Sequence, residues 1–324
     1  MKKIFNKLIV TLTLAALFLA ACGSAPQSAD NALSVLASTS FLADIAQNVA
    51  GDRVVVESLL PIGADPHAYQ AAPTDVTKIA ESNVLILNGV EYEHFIEPLL
   101  ENAGGERLVI EATTGLTPHA MEEHEHEGEE EHAEGEEHAE EGEEGHDHEA
   151  GDPHMWLDPN LVITYVENIR DGLSEADPDG AETYKANADA YIAQLKDLDA
   201  FIKEQVDSVP AERRLLVTNH EAMGYFAERY GFEIVDTILP SFSSEASASA
   251  QEIAAAVDAV KNSGAPAIFL GEVENADLAN QIAAETGVNV VDTLYLESLT
   301  DGAPAATYID MMKHNVTQIV NALK

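Results

Sequence analysis

The chain carries one cysteine in 324 residues. Whatever follows Cys22 therefore has no disulfide and no thiolate metal ligand. Basic residues are also scarce: Lys and Arg total 16 against 58 Asp and Glu, for a formal net charge of -42. Phosphate backbones would be repelled, which excludes nucleic acid as a partner. Only one run near the start, residues 9–21, is long and apolar, and it is too short to span a bilayer. No nucleophile motif is present, and the nearest approach to a zinc-protease signature fails. His220-Glu221 lacks its second histidine, because position 224 is Gly. No close sequence repeat is visible. These gaps leave a binding protein rather than an enzyme.

What is present starts with a leader. Lys2, Lys3 and Lys7 precede the apolar run, which ends in Leu19-Ala20-Ala21-Cys22-Gly23. This reads as a signal peptide over 1–21. Leu-Ala-Ala-Cys resembles a bacterial lipobox, in which Cys22 becomes the lipidated first residue; the alternative is an ordinary cleavage site that ends beside a cysteine. Residues 22–31 then form a tether, and the protein is extracytoplasmic and held at the membrane by its lipid.

Hydrophobic residues make up 46% of the chain, enough for a packed core. Apolar runs predict strands over 33–39, 53–60, 84–89 and 107–112, alternating with helices over 41–49, 74–81 and 97–103. Ser40 is placed to cap the first helix. A second block repeats the alternation, with strands over 214–219, 233–239, 266–270 and 288–296 and helices over 221–230, 249–263, 277–286 and 308–323. Nearly continuous apolar strands between helices indicate parallel sheets covered on both faces. Between the blocks lies a helix over 160–173. Apolar residues at 184, 188, 191, 192, 195, 198, 201, 202 and 206 then predict a single helix of roughly 40 Å. The fold class is α/β: two lobes of four strands each, joined by one long rigid helix. The expected organisation is a first lobe over 32–179, a connecting helix over 180–208 and a second lobe over 209–324.

One stretch breaks the pattern. Residues 119–150 hold His119, His124, His126, His132, His138, His146 and His148, sixteen acids and no Lys or Arg. Such a composition buries too little to offset ordering, so disorder is expected. Its histidines and carboxylates form weak exchanging sites that recruit metal or report its abundance; the plain alternative is a solvated acidic loop.

Four residues stand at comparable places. His67 lies in the loop after the second strand, and His154 lies in a loop just after the tract. His220 and Glu297 lie at the carboxyl ends of strands in the second lobe. Ligands of open α/β sheets bind beyond those ends. Two residues from each lobe facing one cleft make an N3O site suited to Zn2+. A lone histidine after a strand is usually structural, and His94 and His314 fit that reading. Three together beside a histidine-rich tract do not. Asp65, Asp152 and Asp158 either orient the imidazoles or, in the plainer reading, cap turns beside their prolines. Trp156, the only tryptophan, is assigned to packing that holds the His154 loop.

Three motifs carry a resemblance: Asp65-Pro66-His67-Ala68-Tyr69, Asp152-Pro153-His154-Met155-Trp156-Leu157-Asp158, and Thr218-Asn219-His220-Glu221-Ala222-Met223-Gly224-Tyr225-Phe226. They resemble the metal-binding motifs of cluster A-I solute-binding proteins, which serve ABC transporters for zinc or manganese. The resemblance covers essentially the whole mature chain. It implies two lobes joined by a rigid helix, one buried metal in the cleft, a monomer, and delivery to a membrane permease powered by an ATPase. Zinc members resemble this chain in having His where manganese members have Glu at the position of His220, and in carrying a histidine- and acid-rich loop before the second motif. The chain departs from the pattern at Gln70, where an acid is usual, and at Glu297, where Asp is frequent. Either Glu297 or a water supplies the fourth ligand. The function implied is capture of Zn2+ for uptake. The alternatives are a receptor for manganese or another divalent metal, a surface metal buffer or adhesin, and a zinc-dependent hydrolase, which would need an open coordination position.

Overall fold

A computed structural model describes residues 33–120, 151–239, 241–244 and 246–324. Cys22, the tether and the histidines at 124, 126, 132, 138, 146 and 148 lie outside the described residues. Residues Leu33–Lys324 form one compact unit built on two sheets.

The first sheet contains β1 (Val35–Ala37), β2 (Val56–Ser58), β3 (Val84–Leu87) and β4 (Leu108–Glu111). The second contains β5 (Leu215–Thr218), β6 (Glu233–Thr237), β7 (Ala267–Gly271) and β8 (Asn289–Leu294). Every pairing is parallel. The orders are β2-β1-β3-β4 and β6-β5-β7-β8. The all-buried runs VLA, VLIL and AIFLG of β1, β3 and β7 are what strands covered on both faces require.

Helices α1 (Ser40–Ala50), α2 (Pro73–Glu81) and α3 (Ile96–Ala103) cover the first sheet. Two longer ones follow, α4 (Leu161–Ala176) and α5 (Ala181–Val206). The second sheet carries α6 (Gly224–Tyr230), α7 (Ala250–Ser263), α8 (Ala276–Thr286) and α9 (Tyr308–Leu323). The connecting helix α5 covers the whole apolar stripe from 184 to 206 but ends at Val206 rather than 208, and it buries Tyr184, Ala188, Tyr191, Leu195, Leu198, Ile202 and Val206. It packs on α1 and α4 from one half and on α9 and α6 from the other. One core cluster therefore runs through both halves, with Phe41, Ile86 and Trp156 joined to Leu216, Phe269 and Tyr308.

Three local expectations are corrected. Ser40 is not the cap of α1: Thr39 holds that position, and its side chain makes no capping bond. The Ser40 hydroxyl instead accepts from the Leu299 amide at 2.9 Å and meets Ser298 Oγ at 3.2 Å, tying the two halves. The helix expected over 221–230 starts at Gly224, because Glu221 to Met223 turn: the Glu221 amide donates to the Ser241 carbonyl and the Ala222 amide to the His220 carbonyl. The last strand stops at Leu294 rather than 296. Beyond it, the Leu296 and Ser298 amides donate to the Glu272 carboxylate at 2.7 and 2.6 Å, so they have left the ladder.

Candidate metal centre

The carboxyl ends of both sheets converge on one buried point. His220 lies two residues past β5, and Glu297 three past β8. His67 sits in the loop after β2. His154 precedes the 3-10 turn Met155–Leu157 that leads into α4. Nε2 of His154 and of His220 each lie 3.5 Å from Glu297 Oε1, and Nε2 of His67 lies 3.9 Å from it. One ligand atom from each of the four falls within 4.8 Å of all the others. All four side chains are fully buried.

The unpartnered atoms mark the same point. Among the described residues, eight buried side-chain polar atoms lack a hydrogen-bond partner. Five of them are His67 Nδ1 and Nε2, His154 Nε2, His220 Nε2 and Glu297 Oε1. Buried polar atoms are normally satisfied, so such a concentration points to a missing charged partner. The donor set fits a divalent cation. Four-coordinate zinc, with bonds of about 2.0–2.1 Å, places its ligand atoms roughly 3.3–3.4 Å apart, close to the 3.5–3.9 Å from Glu297 Oε1 to the three Nε2 atoms.

Two imidazoles are oriented from behind. His154 Nδ1 pairs with Asp152 Oδ1 at 2.8 Å, and His220 Nδ1 with Glu274 Oε1 at 2.5 Å. Each carboxylate fixes the ring and leaves Nε2 facing inward. Glu274 is itself held, because its other oxygen accepts from the Gly271 amide at 2.6 Å. Burial pulls the His220 pKa down, but the bond to Glu274 and the charge of the nearby Glu297 carboxylate outweigh it and hold the ring up at about 10. Burial likewise lowers His154, and Asp152 and Glu297 raise it by more. Burial alone would raise Glu297; the three imidazoles hold it well below the usual carboxylate range. A dication at this point would supply the positive charge that protons otherwise provide.

Asp152 thus orients an imidazole and also caps its own turn, accepting from the His154 amide at 2.9 Å. Asp65 and Asp158 serve turns instead, accepting from the His67 and Asn160 amides. The second oxygen of Asp65 accepts from Ser244 Oγ at 2.7 Å, across the halves. Trp156 packs as expected, stacked on Phe41 with centroids 4.6 Å apart. It also donates from Nε1 to the Leu296 carbonyl at 2.8 Å, one residue before Glu297.

His119 lies apart from the four and is held in place. It stacks on Tyr225 at 4.0 Å and meets Glu228 at 2.9 Å. Its amide donates to the Tyr225 hydroxyl, and its carbonyl accepts from the Asp152 amide at 2.9 Å. Disorder starting at His119 is therefore not what the structure shows for that residue. Gly151, at φ +93°, makes the crossing possible: a Cβ there would lie 2.5 Å from the His119 carbonyl oxygen. His314 bonds to the Thr293 carbonyl, and Gln70 is exposed.

Reading the sequence missed three residues. Glu272 and Glu274 follow β7 directly, so the strand-end rule that found His220 also points to them. Tyr92, whose hydroxyl donates to Glu297 Oε2 at 2.5 Å, gave no signal beyond its place after β3.

Comparison with known proteins now decides the family. A family model described as the zinc-uptake complex component A, periplasmic, ZnuA, matches residues 35–322. The chain belongs to this family. Its members are metal-binding receptors of ABC metal-uptake systems, not enzymes, and they bind a divalent metal as cargo. The chain is 33% identical over 337 residues to the manganese-binding lipoprotein MntA of Halalkalibacterium halodurans, covering 100% of this chain and 99% of that protein. It is 31% identical to the iron-binding protein YfeA of Yersinia pestis, covering 97% and 92%. Its fold superposes with a TM-score of 0.76 on the periplasmic zinc-binding protein TroA of Treponema pallidum, at 26% identity, covering 90% and 99%. Among the described residues no helix is long and apolar enough to cross a membrane.

Proposed function

We propose that this ZnuA-family receptor captures Zn2+ through His67, His154, His220 and Glu297 and delivers it to an ABC permease. The observation that carries the reading is the donor set. Three imidazole nitrogens and one carboxylate oxygen, with two of the rings fixed from behind by carboxylates, suit zinc better than an ion that favours oxygen ligands. Four protein ligands give a closed site for cargo, with no position kept open for hydrolysis. Cys22 carries the lipid that anchors the mature monomer outside the cytoplasm, as the lipoprotein names of full-length relatives suggest. The histidine- and acid-rich tract from His119 through His148 is an accessory collector. Its base adjoins a cleft lined by Asp152, Glu221, Glu228 and Asp236.

A second reading has its own support. Relatives that align over the whole chain are named for manganese or iron, which favours a receptor for one of those ions. Competition on the metal-free mature protein separates the two. Zinc is expected to displace manganese at equal concentrations, and retention of manganese would overturn the zinc assignment. Deleting residues 121–150 tests the collector: capture at limiting zinc should slow while the affinity of the buried site stays unchanged. A surface metal buffer or adhesin would leave growth in zinc-poor medium intact when the protein is removed, whereas an uptake receptor would not.

A further inference from the structure

Tyr92 reaches the four-residue cluster with one polar atom. Its hydroxyl donates to Oε2 of Glu297, while Oε1 of the same carboxylate faces the three Nε2 atoms. The two oxygens therefore have separate partners.

The ring has little freedom. It packs on Trp156 at 4.8 Å and edge-on against His67 at 5.5 Å and His154 at 6.2 Å. The turn that delivers it is strained: Val90 and Glu91 both have positive φ, at 56° and 53°, and Val90 is β-branched. Such conformations persist where the surroundings impose them, and they cluster at binding sites. Here Glu93 fixes the turn. Its carboxylate accepts from the Asn88 amide and Ser38 Oγ at 2.6 Å and from the Gly89 amide at 3.3 Å.

The number of oxygens Glu297 gives decides what cation fits. One oxygen completes a four-coordinate N3O set. Two oxygens raise the coordination number and move the site toward the oxygen-rich surroundings that suit manganese. To chelate through both oxygens, Glu297 would have to turn Oε2 away from a short, buried hydrogen bond to a charged acceptor, the kind most costly to lose. We infer that Tyr92 is a specificity-determining residue: by engaging Oε2 it holds Glu297 to one-oxygen donation and biases the site toward a four-coordinate cation and against manganese. This rests on the four residues being the ligands and zinc the cargo.

Tyr92→Phe keeps the ring and removes the hydroxyl. Cobalt(II) is the probe, because four-coordinate cobalt absorbs visible light far more strongly than five- or six-coordinate cobalt. Cobalt-loaded native protein is expected to show intense four-coordinate bands. The variant should lose most of that intensity, and its preference for zinc over manganese should fall by about tenfold, the effect of one hydrogen bond to a charged group. Intense bands and an unchanged metal preference in the variant would overturn the role of Tyr92 and leave the zinc reading standing. Weak bands in the native protein would overturn both. X-ray absorption of the zinc-loaded native protein needs no variant: four light-atom neighbours are expected, and a second carboxylate oxygen in the shell would end the proposal.

Discussion

The first sheet runs β2-β1-β3-β4 and the second runs β6-β5-β7-β8, the same order shifted by four. The four proposed ligands follow that correspondence only in part. His154 comes after β4 and Glu297 after β8, which are counterparts. His67 comes after β2, whereas His220 comes after β5, the counterpart of β1. The segment after β1 carries serines instead: Ser38 bonds to Glu93 and Ser40 to Ser298. The segment after β6 carries Ser244, which donates to Asp65 in the opposite half. A shared topology therefore brings strand ends face to face without prescribing which ends bear ligands. That explains two halves of like fold with no close sequence repeat. The support differs as well. His154 and His220 each have a carboxylate on Nδ1, while Nδ1 of His67 has no hydrogen-bond partner.

The largest test of this comparison removes a proposed ligand from each half. His67→Ala, His154→Ala and His220→Ala are each expected to weaken zinc binding more than about a hundredfold, since losing even an outer partner costs about 10–100-fold. Titration against a competing chelator measures this. Tight binding retained by both first-half variants would reduce the site to one half and break the picture of a site shared between sheets.

The next effect sharpens the asymmetry of support. Glu274→Gln and Asp152→Asn should each cost about 10–100-fold in zinc affinity, because each leaves its ring less oriented and less basic. Asp65→Asn should cost clearly less, because Asp65 bonds to the His67 amide and to Ser244, not to the imidazole. Equal losses in all three would mean that Asp65 also orients its ring.

Protons should report the same two rings. In the metal-free protein His220 is raised to about 10, so its ring carries a proton near neutral pH, and His154 is shifted in the same direction. Zinc bound as proposed would displace the protons these rings carry. Binding near pH 7 should release about one to two protons, read by calorimetry in buffers of different ionisation enthalpy. Affinity should climb with pH toward 10. The stability of the metal-free form moves the other way. A group with a raised folded-state pKa stabilises fully below its unfolded pKa of about 6.5, and that contribution is lost as pH rises through about 10. Binding without proton release would mean that these rings are already neutral.

How much was legible in the chain follows from where each interaction lies. The extent of α5 could be read because a buried apolar residue recurs at every third or fourth position along one stripe, and a local period suffices. His220 and Glu297 could be read because each lies just past a strand end, and His67 and His154 because each sits in an Asp-Pro-His loop, both local properties. Ser40 was misread because its hydroxyl is used 259 residues away, by Leu299. Tyr92 was unreadable for the same reason: its partner Glu297 lies 205 residues on, and no spacing states which strand ends will face each other. Glu274 is the intermediate case. An acid three residues past an all-buried strand is a signal, but its match to His220 needed the two loops in space.

The smallest expected effect concerns the helix that joins the halves. Asp199 on α5 accepts from Arg229 Nε and Nη2 of α6 at 3.0 Å each, from Tyr230 at 3.2 Å and from Lys203 at 2.8 Å. Burial alone would raise its pKa, but Arg229 and Lys203 outweigh it and bring the carboxyl down to about 2. A depressed carboxylate stabilises above its unfolded pKa of about 3.9, and the contribution is lost as pH falls through about 2. The pairs are partly open to water, so Asp199→Asn should cost about 1 kcal/mol at neutral pH and almost nothing near pH 2. Thermal unfolding at the two pH values measures this. Zinc affinity should stay unchanged, because Asp199 contacts none of the four candidate ligands. If affinity falls as well, the grip of α5 on α6 reaches the site through Gly224 to Tyr230, the helix that starts four residues past His220. The connecting helix would then help to aim the second-half histidine as well as join the halves.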